Sequence, residues 1–244
     1  MDAIRIEHLT KQYGALMAVS DLCLSIPEGE CFALLGVNGA GKTTTIKMLT
    51  GLTKPTSGDA SLMGHSITYD TYNAKRILNI SPQETAIAPQ LTVRENLEMM
   101  ASIYGNNKKE AALRAGHMMG TFRLTERANT KAQTLSGGLK RRLSIAMALV
   151  SQPKVLFLDE PTLGLDILSR RELWDVLMGL KGKVTIVLTT HYLEEAVALA
   201  DRIGIMANGK MCAIGTADEL MAAADATTFE DAFVTLATKQ EVTE

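Results

Sequence analysis

The chain holds 244 residues, 46% of them hydrophobic, enough for one large domain or two small ones around a substantial core. Twenty-five Lys and Arg against 27 Asp and Glu leave a formal charge of -2, so no global field favours the polyanionic backbone of nucleic acid, which is set aside as a partner. No stretch reaches the about 18 uninterrupted apolar residues that cross a bilayer, since even the run 145–150 ends at Ser151-Gln152-Pro153; any membrane role therefore falls to a partner.

The first residues, Met1-Asp2-Ala3-Ile4-Arg5, lack the basic start, apolar centre and small-residue cleavage site of a secretory signal, which sets the expectation of a cytoplasmic protein. Residues 4–9 and 22–26 read as short strands, with Pro27-Glu28-Gly29-Glu30 turning the chain, and predict a small sheet ahead of the main core. Cys31–Leu35 is a continuous apolar run that stops at a glycine-rich loop, and Lys42–Leu49 carries helix-compatible residues. The three cysteines, Cys23, Cys31 and Cys212, lie in apolar strand-like runs without metal-ligand spacing and are expected to be reduced and buried.

Residues 92–150 predict mostly helix: Thr92-Val93-Arg94-Glu95 is a capping box, and Leu139, Leu143, Met147 and Val150 recur at helical spacing. Two further apolar runs follow, 155–158 ending in Asp159-Glu160 and 184–188 ending at Thr189-Thr190-His191. Short unalternated runs suit parallel strands buried on both faces. In all three the polar chemistry falls just past the C-terminal end of the strand, where open α/β sheets place their ligands. Residues 203–206 and 211–214 flank Asn208-Gly209, a hairpin signal of the type I′ kind, and the tail after Asp218 returns to a helical pattern. No repeat, low-complexity tract or linker interrupts the chain. A single unit over 1–244 is expected, with a helical part at about 84–152 and a helical tail at about 217–244.

Gly36-Val37-Asn38-Gly39-Ala40-Gly41-Lys42-Thr43 matches G-x-x-x-x-G-K-[ST]. A phosphate chain must approach the backbone closely, so glycines supply room while successive N–H groups and the helix N-terminus point at the anion. Lys42 would neutralise the β and γ phosphates, and the Thr43 hydroxyl would hold Mg²⁺, with Thr44 beside it. Asp159 and Glu160 end an apolar strand, a placement that suits one carboxylate for the metal and the other for the attacking water; without the loop and its lysine, a solvated acidic turn would explain them better. Leu135-Ser136-Gly137-Gly138-Leu139 opens an amphipathic helix with a serine and two glycines, a second phosphate-ready N-terminus in the same chain.

That stretch resembles the signature of ABC nucleotide-binding domains, and the order P-loop, signature, Walker B strand is theirs as well. The resemblance covers nearly the whole chain. It implies an α/β fold: a RecA-like P-loop NTPase core with a mixed, mainly parallel sheet, an N-terminal antiparallel β subdomain and a helical signature subdomain. It further implies that Tyr13 stacks on adenine, that Gln83 reaches Mg²⁺ and water, and that Glu160 and His191 act on the attacking water and the γ-phosphate. Asp166 falls in the D-loop Leu163-Gly164-Leu165-Asp166, although a helix cap would explain it nearly as well. Gly36, Val37, Asn38, Gly39, Ala40, Gly41, Lys42, Thr43 and Thr44 would then bind ATP, while Thr43, Gln83 and Asp159 would serve Mg²⁺. Ser136, Gly137 and Gly138 would touch the ATP of a second subunit.

One departure stands out, since Leu139 replaces the usual glutamine of the signature. A hydrophobic residue there resembles the branch serving drug, polysaccharide and nodulation-factor exporters, as do residues 91–97 and Phe229-Glu230-Asp231-Ala232-Phe233. The expected protein is an ATP-hydrolysing subunit, paired in a head-to-tail homodimer and attached through a separate permease to the inner face of the cell membrane. A soluble ABC ATPase without a permease and an importer subunit remain as alternatives. A GTPase would need an Asn-Lys-x-Asp loop, which the chain lacks.

Overall fold

A computed structural model describes residues 1–238; the last part of the expected helical tail, 239–244, lies outside the described residues. The chain opens with two long antiparallel strands, β1 (Asp2–Tyr13) and β2 (Leu16–Pro27), then β3 (Cys31–Leu35), α1 (Lys42–Leu49), β4 (Ser57–Leu62), β5 (His65–Ser66), α2 (Thr71–Ile77) and β6 (Leu78–Ser81). Three helices follow, α3 (Val93–Ile103), α4 (Lys108–Thr121) and α5 (Gly137–Leu149). The last part alternates β7 (Val155–Asp159), α6 (Ile167–Met178), β8 (Thr185–Thr190), α7 (Leu193–Leu199), β9 (Arg202–Ala207) and β10 (Lys210–Gly215), then ends in α8 (Ala217–Ala224) and α9 (Phe229–Thr238).

Two sheets result. One is antiparallel, in the order β2-β1-β4-β5; the other runs β10-β9-β3-β8-β7-β6 and is parallel throughout except for the terminal β9–β10 hairpin. Asn208 and Gly209 both hold positive φ, 49° and 76°, as the type I′ turn of that hairpin requires.

Period-two alternation along the central strands feeds two cores. On β3, Cys31, Ala33 and Leu35 face a layer that also holds Leu97, Leu143, Leu173 and Leu199 of the helices, while Phe32 and Leu34 face Ile46 of α1 and Ile4, Leu22 and Ile26 of the antiparallel sheet. Both faces are therefore apolar, which is why the central strands read as unbroken hydrophobic runs.

The first strands extend further than expected, because β1 continues outward on the polar residues Thr10 to Gln12 and pairs with an equally long β2, held by the ladder up to Tyr13 and Leu16. The expectation of three buried cysteines holds for Cys31, is half met by Cys212 and fails at Cys23, which is exposed. The reason is strand pleat. On the edge strand β2, Leu22 and Ile26 point inward, so Cys23 and Ser25 between them point to solvent.

Candidate active site

Because β3, β7 and β8 run parallel and adjacent, the residues after all three emerge at one edge of the sheet. There a cleft of about 470 Å³ is lined by Tyr13, the loop from Asn38 to Thr44, Gln83, Glu160 and His191. Leu16, Met17, Ala18 and Leu163 complete the wall. Leu163 opens the D-loop stretch already noted, whereas Leu16, Met17 and Ala18 carry no motif of their own and have proximity to Tyr13 as their only sequence signal.

Gly36 and Val37 do not line the cleft. Gly36 passes so close to β9 that a Cβ would collide with the Met206 carbonyl oxygen, which leaves no room for a side chain. Both residues instead turn their carbonyls inward, where they accept hydrogen bonds from Lys42 Nζ at 2.6 and 3.2 Å. The ammonium is 6% exposed and lies 3.9 Å from Glu160 Oε1. Burial lowers the Lys42 pKa, and the nearby Glu160 and Asp159 charges oppose that shift. The carboxylates keep Lys42 protonated despite its burial, and the charged ammonium is a counter-ion for phosphate.

Asp159 ends β7 and Thr43 opens the second position of α1; the Thr43 hydroxyl donates to Asp159 Oδ1 at 3.3 Å. The Thr189 hydroxyl of β8 donates to the same oxygen, a partner set by the register that pairs Asp159 with Thr189. Motif reading missed Thr189. Its signal was the pair of threonines ending an apolar run.

Glu160 carries a left-handed backbone, φ 47°, unusual for a residue with a side chain. Its N–H donates to both the carbonyl and the hydroxyl of Thr189, at 3.1 Å each, so the strained turn is held by the neighbouring strand. The turn aims the carboxylate at the cleft, where His191 Nδ1 pairs with Oε2 at 2.8 Å. Tyr13, at the end of β1, is 46% exposed, with Lys11 Nζ 4.8 Å from the centre of its ring.

Ser136, Gly137 and Gly138 do not reach this cleft. Ser136 and Gly137 form the exposed N-terminus of α5, with Gly138 buried behind them, and Ser136 Oγ accepts from the Leu139 N–H at 3.4 Å. Gly138 is a packing position as well, since a Cβ there would lie 2.6 Å from Ser169 Oγ of α6. Asp166 also stays outside the cleft and caps α6, accepting from the N–H groups of Leu168 and Ser169 at 3.0 Å each. Those bonds, Ser169 foremost, hold its carboxyl below the usual range.

The sequence profile described as "ABC transporter" matches residues 19–163. The linearmycin resistance ATP-binding protein LnrL of Bacillus subtilis (strain 168) is 43% identical over 218 residues, 89% of this chain and 70% of that one. The human phospholipid-transporting ATPase ABCA3 is 43% identical over 217 residues, 87% of this chain but only 13% of the much longer relative. Among solved structures, the dimeric post-hydrolysis state of the ATP-binding cassette MJ0796 bound to ADP and Pi superposes with a TM-score of 0.77 at 27% identity, over 87% of this chain and 98% of that one. With one cleft gathering the loop 38–44, Glu160 past the end of β7 and His191, and with these relatives, the chain belongs to the ABC transporter family as an ATP-binding, ATP-hydrolysing subunit.

Proposed function

We propose that the chain is the motor of a membrane exporter and works as a head-to-tail homodimer, each ATP lying between the cleft of one subunit and residues 136–138 of the other. The observation that carries this reading is separation. Within one chain the loop with Lys42 and the cap with Ser136 are both open to a phosphate, yet the cap takes no part in the cleft. A second copy supplies the missing side, and the dimeric relative with ADP and Pi supports that arrangement. The unit spans 1–244, with the helical part 84–152 carrying the cap and the tail 217–244 following the hairpin.

Adenine stacks on Tyr13, and the amides of residues 38–44 with Lys42 take the phosphates. Thr43 and Asp159, already joined by a hydrogen bond, fit Mg²⁺ together with Gln83. Mg²⁺ there supplies charge neutralisation at the β and γ phosphates. Glu160 takes a proton from water as the water oxygen bonds to the γ-phosphorus and the bond to the ADP oxygen breaks. His191 fixes the Glu160 carboxylate through Nδ1, which leaves Nε2 for the γ-phosphate. Loss of that phosphate removes contacts to both subunits, so opening follows chemistry.

The helical part after Gln83 carries the motion to a permease at the inner membrane face; among the described residues no helix is long and apolar enough to cross a membrane. Export is favoured by the resistance role named for LnrL, the phospholipid transport named for ABCA3, and Leu139 in the signature. Ser136→Arg tests the dimer: ATP-dependent dimerisation disappears on a sizing column and turnover falls on the order of 100-fold. A Ser136→Arg monomer with wild-type turnover overturns the reading.

A further inference from the structure

Arg141, five residues after Ser136 on α5, is 4% exposed and makes no ion pair among the described residues. Among the described residues its guanidinium donates only to backbone carbonyls. Nε donates to Pro161 at 2.8 Å, Nη2 to Asp159 at 2.9 Å, and Nη1 to Pro82, with a longer bond of 3.5 Å to Gln83. The two residues anchored on either side of Glu160 are therefore Asp159 and Pro161, and the other two belong to the segment that presents Gln83 to the cleft. Burial pulls the Arg141 pKa down to about 10, although the charges of Asp159, Glu195 and Glu160 oppose that shift.

Such burial costs free energy that an apolar residue at the same helical position would avoid. A planar fork with five donors can reach carbonyls on two separate segments, 159–161 and 82–83, at once. The opposite face of the Glu160 turn is held by Thr189, so the turn is clamped between β8 and α5. One helix carries both residues, and the interval from Ser136 to Arg141 spans only about 7.5 Å at 1.5 Å per residue.

We propose that Arg141 is a positioning residue that joins the two ATP sites of the dimer: a shift of α5 when its Ser136 cap meets the partner's ATP is passed, through the guanidinium, to Glu160 and Gln83 in the subunit's own cleft. The proposal rests on the head-to-tail dimer proposed for this chain. It makes occupancy of one site a condition for correct geometry at the other, which is a source of cooperativity.

The test is Arg141→Lys, which keeps the charge and removes the fork. In the full chain, turnover number is expected to fall on the order of 10- to 100-fold while KM for ATP stays within about twofold, because misplacing a catalytic group costs rate before it costs binding. The Hill coefficient for ATP is expected to be above one in the wild type and to fall to about one in the variant. A merely structural arginine would lower melting temperature without separating these parameters. Wild-type turnover and Hill coefficient in folded Arg141→Lys overturn the proposal.

Ser136→Arg is run beside it: if that variant alone is impaired, the dimer stands and the positioning role fails, and if neither is impaired the dimer reading itself fails. Should Arg141→Lys not fold, hydrogen exchange on the wild-type chain decides. Peptides covering 81–84, 137–145 and 159–162 should change protection together on adding MgATP. Independent responses overturn the coupling.

Discussion

Glu195 is fully buried on α7, one layer behind the cleft, and receives a hydrogen bond from Trp174 Nε1 at 3.3 Å. Burial raises its carboxyl pKa, against the pull of the Thr190 and Thr162 hydroxyls and the indole. A folded-state pKa above the unfolded value means that this carboxyl contributes stability at acid pH and loses it as pH rises through the folded value. Glu195→Gln removes that dependence. The melting temperature of the variant minus that of the wild type should therefore grow between pH 5 and pH 8; a constant difference across that range would show that Glu195 is ionised in the fold. In the sequence Glu195 is half of an ordinary Glu194-Glu195 pair, and Arg141 is one of a basic run. Neither residue announces its burial, because single residues do not reveal which helix face is buried. Lys42, Asp159, Glu160 and His191 were legible for the opposite reason: the loop that holds a triphosphate is local, and the strand ends carry their polar residues with them.

Among the elements, the capping box at Thr92 was readable and is formed, with reciprocal bonds between Thr92 and Glu95. The role of Asn96, one residue past that box, was not readable. Fully buried on α3, Asn96 accepts from the Ala88 N–H at 2.8 Å and donates to the carbonyls of Ala88, Leu91 and Thr92, so it ties the segment after Gln83 to the helix. Asn96→Leu strands those groups, and each buried unpaired group costs about 1–3 kcal/mol. The expected result is a melting temperature lower by about 5–10 °C. ATP affinity, measured by a fluorescent analogue, should stay unchanged because no element of the cleft is altered. The central strands were visible as apolar runs because both their faces are covered. Ser57–Leu62 and Thr71–Ile77, by contrast, were not read as elements, since short segments with one or two buried residues carry no clear period.

For the whole molecule, the strongest consequence of the cleft geometry is a trapped state. Glu160→Gln keeps the shape of the side chain and removes the proton acceptor that His191 faces. The variant should bind MgATP, hydrolyse it slower by on the order of 100-fold or more, and elute as a stable dimer that reverts to monomer with ADP. A Glu160→Gln protein that turns over ATP like the wild type would remove Glu160 from the chemistry.

The order of motifs along the chain determined the reaction class, because phosphate recognition depends on a few backbone amides, one lysine and carboxylates at strand ends, all encoded locally. Packing decided the rest. That the antiparallel hairpin brings Tyr13 and Leu16 to the same cleft, that Cys23 faces solvent, that the Ser136 cap lies outside its own site, and that Arg141 faces inward are outcomes of which surfaces the sheets and helices bury together. Such burial is a property of long-range contacts between segments, and no local stretch of residues carries it.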